Sequence, residues 1–154
     1  MKYFTTLFAG LFSIVLLAGC NFIGEDYDYT PPTVSLTYSD IELEEATINW
    51  DTKGDTSEDG TVKTDNIFEL AKEQEQEQVA VKAGENESLQ FDSQDFLLES
   101  VTVLLWKDEQ STSIEIDEKS LDFNYPTEAG SYVIDVTIDA DSGTAQYVGN
   151  ILVD

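Results

Sequence analysis

The sequence predicts an all-β fold, an antiparallel β-sandwich of about seven to nine strands with one short helical segment near residues 66–74. Three observations support this prediction. From Thr33 onward, apolar and polar residues alternate in short runs, which is the pattern of half-buried strands. Gly, Asp, Asn and Ser separate these runs at intervals of about 8–12 residues. Helical periodicity occurs only once in the same stretch.

The predicted strands follow one another closely along the chain. Residues 101–106 form a nearly continuous apolar run, which predicts a central strand buried on both faces. Residues 139–143 combine Asp, Ser and Gly and predict a tight turn between the last two strands, which form the clearest hairpin. In order, the runs cover residues 34–38, 41–50, 79–81, 89–91, 101–106, 113–116, 121–125, 132–138 and 145–153.

The helical segment has an N-terminal cap and one apolar side. Asp65 or Asn66 supplies the cap, and the apolar residues that follow fall on one side of a helix. Glu73 and Glu77 then lie four residues apart, where like charges repel. We therefore expect a helix of one or two turns.

The composition excludes several functional classes. The chain has 154 residues, 32 acidic side chains, 7 lysines and a formal charge of −25, with no histidine, no arginine and one cysteine. It therefore lacks the histidine of Ser-His-Asp and Cys-His catalytic groups and of common zinc sites, and it cannot form an internal disulfide. Nucleic acid should repel so dense a polyanion. We expect a protein that is not an enzyme, requires no cofactor and binds no nucleic acid.

The N-terminal segment predicts a targeting signal. Lys2 precedes an apolar run over residues 7–18, which is shorter than the roughly 20 residues needed to span a bilayer. The run ends in Leu17-Ala18-Gly19-Cys20. Small residues before a cysteine at the end of such a run resemble the bacterial lipobox. The alternatives are an ordinary secretory signal with an incidental cysteine, or a short membrane anchor.

The lipobox resemblance implies how the chain is processed. Residues 1–19 would be removed as a signal peptide, and the Cys20 thiol would carry lipid chains such as palmitate. Two chains anchor a protein stably where one does not. Loss of Lys2 would change the charge from −25 to −26. The expected location is the outer face of the cytoplasmic membrane of a Gram-positive bacterium, with residues 20–32 as an acidic tether ending in two prolines and residues 33–154 as the folded domain.

One corner of the sequence resembles immunoglobulin-like domains. The order Gly130-Ser131-Tyr132 opens an alternating strand, as in the Gly-x-Tyr corner of that family, where the tyrosine hydroxyl bonds back to the backbone. Trp106 ends a strand at a place where such folds often keep a core tryptophan. The bridging disulfide of antibody domains is absent, so the resemblance implies an immunoglobulin-like β-sandwich without cysteines.

The wider order of motifs is similar to that of small, functionally uncharacterised lipoproteins of Bacillus-type bacteria (Bacillota). It comprises the lipobox, the acidic Pro-Pro tether, V-K-A-G-E before a strand, V-T-V-L-L-W, and the hairpin G-S-Y-V-I-D-V … G-T-A-Q-Y. These motifs are structural and cover most of the chain after Cys20. The resemblance implies a fold and a location, and it brings no catalytic residue.

An acidic loop is the candidate metal site. Asp51, Asp55, Glu58 and Asp59 lie within ten residues that also contain two glycines. Calcium takes six to eight oxygen ligands, of which these carboxylates could supply several. The spacing does not match the alternating acids of an EF-hand loop. The alternative interpretation is a solvated hairpin loop.

Aromatic residues are the other candidate ligand surface. Trp50 closes a predicted strand next to the acidic loop, where an exposed ring would stack on a sugar. The alternative for both Trp50 and Trp106 is packing in the core. We therefore expect a lipid-anchored, non-catalytic binding or accessory module whose partner is a protein or a cell-wall component. The alternative function is capture of carbohydrate or Ca²⁺ through residues 50–59.

Overall fold

The computed structural model describes residues 30–50, 61–62, 66–73, 78–94 and 96–154. These residues form eleven strands and one helix, and the strands lie in two sheets. The predicted all-β architecture is confirmed, and all but one of the strand pairings are antiparallel. The strand count exceeds the predicted seven to nine, partly because one predicted run is divided into two strands. A two-residue strand, Thr61–Val62, is also added.

The smaller sheet has four strands. Its order is β2-β1-β6-β9, and all three pairings are antiparallel. Side chains that alternate along β1 and β6 point to one buried face, where Leu36 is paired with Leu89. The strands are β1 (Val34–Leu36), β2 (Ile41–Glu42), β6 (Asn86–Phe91) and β9 (Asp122–Asn124).

The larger sheet has seven strands in the order β4-β3-β11-β10-β7-β8, and β5 pairs in parallel with the last part of β11. The predicted final hairpin is confirmed as β10 and β11. At its turn, Gly143 has a φ of +135°, and a Cβ there would lie 2.1 Å from the Asn49 carbonyl oxygen. The strands are β3 (Glu44–Trp50), β4 (Thr61–Val62), β5 (Val79–Val81), β7 (Leu98–Lys107), β8 (Gln110–Ile114), β10 (Gly130–Ala140) and β11 (Gly143–Val153).

The main core lies between the inner faces of the two sheets. Tyr147 is the largest fully buried side chain, and its hydroxyl donates to the Pro32 carbonyl oxygen at 2.6 Å. This hydrogen bond attaches the segment before β1 to the larger sheet. The inner faces meet through apolar side chains that include Val34, Leu36, Leu89, Val103, Leu105, Phe123, Ile134, Val136, Ile138 and Ile151.

The predicted run over residues 41–50 divides because the chain crosses from one sheet to the other. β2 pairs with β1 in the smaller sheet, whereas β3 pairs with β11 in the larger one. Leu43 lies between the two strands, is buried, and donates its N–H to the Val34 carbonyl at 2.8 Å. The imperfect alternation in the sequence marks this crossing.

The predicted helical segment is confirmed as α1 (Ile67–Glu73). Asn66 caps it, because its Oδ1 accepts the backbone N–H groups of Phe68 and Glu69 at 3.1 and 3.3 Å. The helix covers part of the outer face of the larger sheet. There Ala71 packs in an outer cluster whose buried members are Ala46, Ala71, Val133 and Val148.

Strand β7 differs from its prediction. Val103 and Leu105 are buried in the main core, but Thr102 is exposed and Leu104 is half-buried. The predicted burial on both faces is therefore wrong, because α1 covers only part of the sheet's outer face. β7 lies between β10 and β8, and β8 ends the sheet.

Candidate functional site

Five of the predicted site residues lie outside the residues that the structure describes. They are Cys20, Asp51, Asp55, Glu58 and Asp59. The lipidation site and the calcium site therefore stay predictions. Within the described ranges, no three His, Cys, Asp or Glu side chains are close enough together to hold a metal ion. In the same part of the chain, no helix has the length and apolar character needed to cross a membrane.

Trp50 lies at the end of β3 and is half-buried. Its ring meets Phe96 edge to face, with the centroids 5.8 Å apart, and Phe96 meets Phe91 in the same way at 5.6 Å. Trp50 also packs against the main core. These internal contacts occupy part of the ring, and a role in stacking on a ligand stays a prediction.

Trp106 lies on the outer face of the larger sheet. It packs against the outer cluster and meets Phe68 of α1 edge to face at 5.6 Å. Its Nε1–H donates to Asp135 Oδ2 at 3.1 Å, and Gln146 Nε2 donates to Asp135 Oδ1 at 3.0 Å. The expected core tryptophan is therefore packed beneath the helix, and it lies outside the core between the sheets.

A groove of about 440 Å³ opens between α1 and the turn that follows β7. Phe68 and Trp106 contribute aromatic surface to its lining. The acidic side chains of Glu69, Asp108 and Glu109 also line it, together with the ammonium-bearing Lys72. Aromatic surface combined with an excess of carboxylates favours a ligand that is partly apolar and carries positive charge.

The corner before β10 is fixed by a tyrosine and a lysine. Tyr132 OH donates to the Glu128 carbonyl at 2.9 Å. Lys107 Nζ donates to Glu128 Oε1 at 2.6 Å and to the Ala129 carbonyl at 3.1 Å, and it lies 5.3 Å from the Tyr132 ring centroid. The hydrogen bond between Glu128 and Lys107 raises the pKa of the lysine and lowers the pKa of the carboxyl. Both groups are open to solvent, so their pairing adds little to stability.

A buried carboxylate, Glu87, lies at the inner face of β6 and is 0% exposed. Its Oε1 accepts the backbone N–H groups of Tyr38 and Ser88 at 2.8 and 2.9 Å. Its Oε2 accepts the Ser39 N–H at 3.1 Å, the Ser39 hydroxyl at 2.7 Å and the Tyr125 hydroxyl at 3.0 Å. We call these five residues the Glu87 cluster. The cluster attaches the turn between β1 and β2 to the smaller sheet.

The Glu87 cluster was not predicted from the sequence. A glutamate beside a turn is typical of a solvated position, and the strand was predicted to begin only at Leu89. Glu87 lies two residues before Leu89 in the same alternating pattern, and this spacing indicates that the two side chains lie on the same face of the strand. Burial raises the pKa of Tyr125, the tyrosine that donates to Glu87.

Three aspartates outside the core have local partners. Asp117 Oδ1 accepts the backbone N–H groups of Lys119 and Ser120, both at 2.9 Å, and the bond from Ser120 contributes most to a lowered pKa for Asp117. Asp139 accepts the Ser100 hydroxyl at 2.8 Å, and Asp141 accepts the Leu97 N–H at 2.9 Å. These aspartates stabilise turns and strand ends.

No protein-family model, curated protein or solved structure matches the chain. Functional inference therefore depends on the chain's own residues and on their geometry.

Proposed function

We propose that the chain is a lipid-anchored surface protein on the outer face of the cytoplasmic membrane of a Gram-positive bacterium. Its domain is a non-catalytic binding or accessory module of the immunoglobulin-like class. The observation that carries the proposal is the apolar segment that ends in Leu17-Ala18-Gly19-Cys20. Cys20 is the only cysteine in the chain, so the sole thiol is at the position where this signal places the lipid.

The division of strands between the sheets supports the immunoglobulin-like assignment. In that fold, strands B and E belong to one sheet, and strands C, F and G belong to the other. Here β6 pairs with β9 in the smaller sheet, and β7, β10 and β11 are neighbours in the larger one. β1 pairs with β6 as strand A pairs with B, and β8 lies beside β7 as an additional strand does in variable-type domains.

The tyrosine corner supports the same assignment. Tyr132 lies near the start of β10, where the chain has just crossed from the smaller sheet to the larger one. Its hydroxyl donates to the carbonyl of Glu128, four residues upstream. Immunoglobulin-like domains place a tyrosine with this hydrogen bond at the equivalent crossing between strands E and F.

Charge and surface shape support a binding role. Glu87 and Asp135 are buried carboxylates that accept hydrogen bonds from other groups of the domain, so both stabilise the fold. The groove beside α1 presents aromatic rings and an excess of carboxylates to solvent. With a formal charge of −25, the chain attracts partners with basic surfaces. An anionic wall polymer would require bridging divalent cations, so a protein partner is the simpler choice.

Lipidation in cells tests the proposal. The full chain is produced in a Bacillus-type host supplied with alkyne-tagged palmitate, as wild type, Cys20→Ser and the control Gly19→Ala. We expect label on the wild type and on the control, which keeps a small residue before the cysteine, and none on Cys20→Ser. Protease added outside protoplasts should digest the labelled chain. Equal label on Cys20→Ser, or full protection from the protease, would contradict the proposal.

A further inference from the structure

β8 is the longest strand at an end of either sheet. The other end strands, β2, β4, β5 and β9, have two or three residues each, whereas β8 has five. Proteins commonly shield such an edge with proline, lysine or a bulge. β8 contains neither residue, and its pairing with β7 is regular. Its first four side chains are exposed, and among the described residues it pairs only with β7.

The turn between β7 and β8 determines which backbone groups of β8 face outward. Lys107 and Gln110 are partners across a two-residue turn, and the residues that flank such a turn exchange both backbone hydrogen bonds. Every second residue of β8 therefore bonds to β7. Ser111 and Ser113 lie between those positions, so their N–H and C=O groups point away from the sheet. These four groups form a template for one more strand.

The charged residues along this edge lie just before and just after β8. β8 itself has no charged side chain over its five residues, about 17 Å of strand. Asp108 and Glu109 precede it, and Glu115, Asp117 and Glu118 follow it, all of them exposed. The ammonium of Lys107, at the end of β7, is already bound by a carboxylate. An added strand with basic residues at both ends would complement this pattern.

We infer that the outer edge of β8, which pairs with β7 alone in the part of the chain that the structure describes, is a docking site for an extended, cationic segment of a partner protein. This segment adds to the larger sheet as a further strand. The inference rests on the proposed binding role and names the chemistry of the partner. Backbone hydrogen bonds to Ser111 and Ser113 supply attachment, and the acids at the two ends select basic residues. A second copy of this chain is a poorer occupant, because its own β8 carries the same negative ends.

A model peptide tests this docking mode. The full chain, purified in a non-ionic detergent, is titrated at 20 mM NaCl with a fluorescent peptide of three Thr-Val repeats flanked by two lysines on each side. Ser113→Pro removes an outward N–H and leaves the bonds to β7 intact. Ser113→Ala is the matched control, because it changes the same side chain and keeps the N–H. Thermal melting shows whether each variant is folded.

We expect the wild type and Ser113→Ala to bind the peptide with Kd values within about twofold, and Ser113→Pro to bind at least tenfold more weakly. A peptide with glutamates in place of lysines should not bind. The same wild-type chain should also bind an analogue N-methylated at every Thr and Val at least tenfold more weakly, because neither edge of that peptide keeps its N–H donors. This comparison does not depend on how the proline variant folds.

Two results would overturn the inference. Equal affinity for the plain and N-methylated peptides would show attraction by charge alone, and no binding of the lysine peptide would remove the site. A chain dimer that the peptide does not dissociate would assign the edge to a second copy and also overturn it. None of these results changes the lipidation of Cys20, so failure of the docking site and failure of the proposed anchor are distinguishable.

Discussion

Two carboxylates are buried among the described residues, and they are held in different ways. Glu87 is 0% exposed and lies at the inner face of the smaller sheet, whereas Asp135 is 4% exposed and lies on the outer face of the larger one. Glu87 accepts three backbone N–H groups and two hydroxyls. Asp135 accepts two side-chain donors, one from Trp106 and one from Gln146.

The difference lies in how freely the donors can adjust. A backbone N–H within a turn or strand has a fixed direction and can only donate. The amide of Gln146 can rotate so that its oxygen replaces its nitrogen. The environment of Glu87 therefore requires an acceptor at both oxygens, whereas that of Asp135 requires an acceptor only toward Trp106. We therefore expect substitution of Glu87 to destabilise the domain more than substitution of Asp135.

The largest expected effect comes from Glu87→Gln. The new NH₂ group would face at least one backbone N–H, whichever way the amide turns, and the hydrogen bonds that the replaced oxygen accepts would be lost. We expect the free energy of unfolding to fall by about 3 kcal/mol. Urea denaturation of the full chain in a non-ionic detergent measures this change. A loss below about 1 kcal/mol would show that the domain does not depend on two acceptor oxygens at Glu87.

A smaller effect is expected from Tyr125→Phe. This change removes one hydroxyl donor to Glu87 but leaves the backbone donors in place, so the carboxylate stays hydrogen-bonded. We expect a loss of about 1.5 kcal/mol in the same denaturation experiment. Tyr38→Phe is the control, because the Tyr38 ring is 66% exposed and only its backbone serves the cluster. A loss equal to that of Glu87→Gln would mean that the hydroxyl is the dominant donor.

The smallest effect is expected from Asp135→Asn, the counterpart of Glu87→Gln on the other sheet. The asparagine oxygen can accept from Trp106, while its NH₂ group donates to the rotated amide of Gln146. We expect the free energy of unfolding to change by less than about 1 kcal/mol. The comparison fails if Asp135→Asn destabilises the domain as much as Glu87→Gln does.

Much of the fold could be predicted from the sequence where apolar and polar residues follow a clear period. The last hairpin alternates with the period of a strand, and the segment after Asn66 has its apolar residues on one side of a helix. The division of residues 41–50 into β2 and β3 was not predicted, because alternation cannot show that the chain leaves one sheet and enters another. Strand β4 has only two residues, too few to produce a pattern.

The candidate sites were predictable to different degrees. The hydrogen bond from the Tyr132 hydroxyl to the backbone was expected from the resemblance of residues 130–132 to immunoglobulin-like domains, and the structure contains this bond. Burial of Glu87 could not be deduced from composition, since its donors come from residues nearly fifty positions earlier and forty later in the chain. Trp106 was expected in the main core. Its position beneath α1 was not predicted, because an apolar run does not show whether a helix covers the other face of the sheet.

Attachment to the membrane through a lipid is measured by the mass of the N-terminal peptide of the chain recovered from membranes of a Gram-positive host. We expect a polypeptide that begins at Cys20 and carries a diacylglyceryl group on its thiol. A chain that begins at any other residue, or an unmodified Cys20, would contradict it.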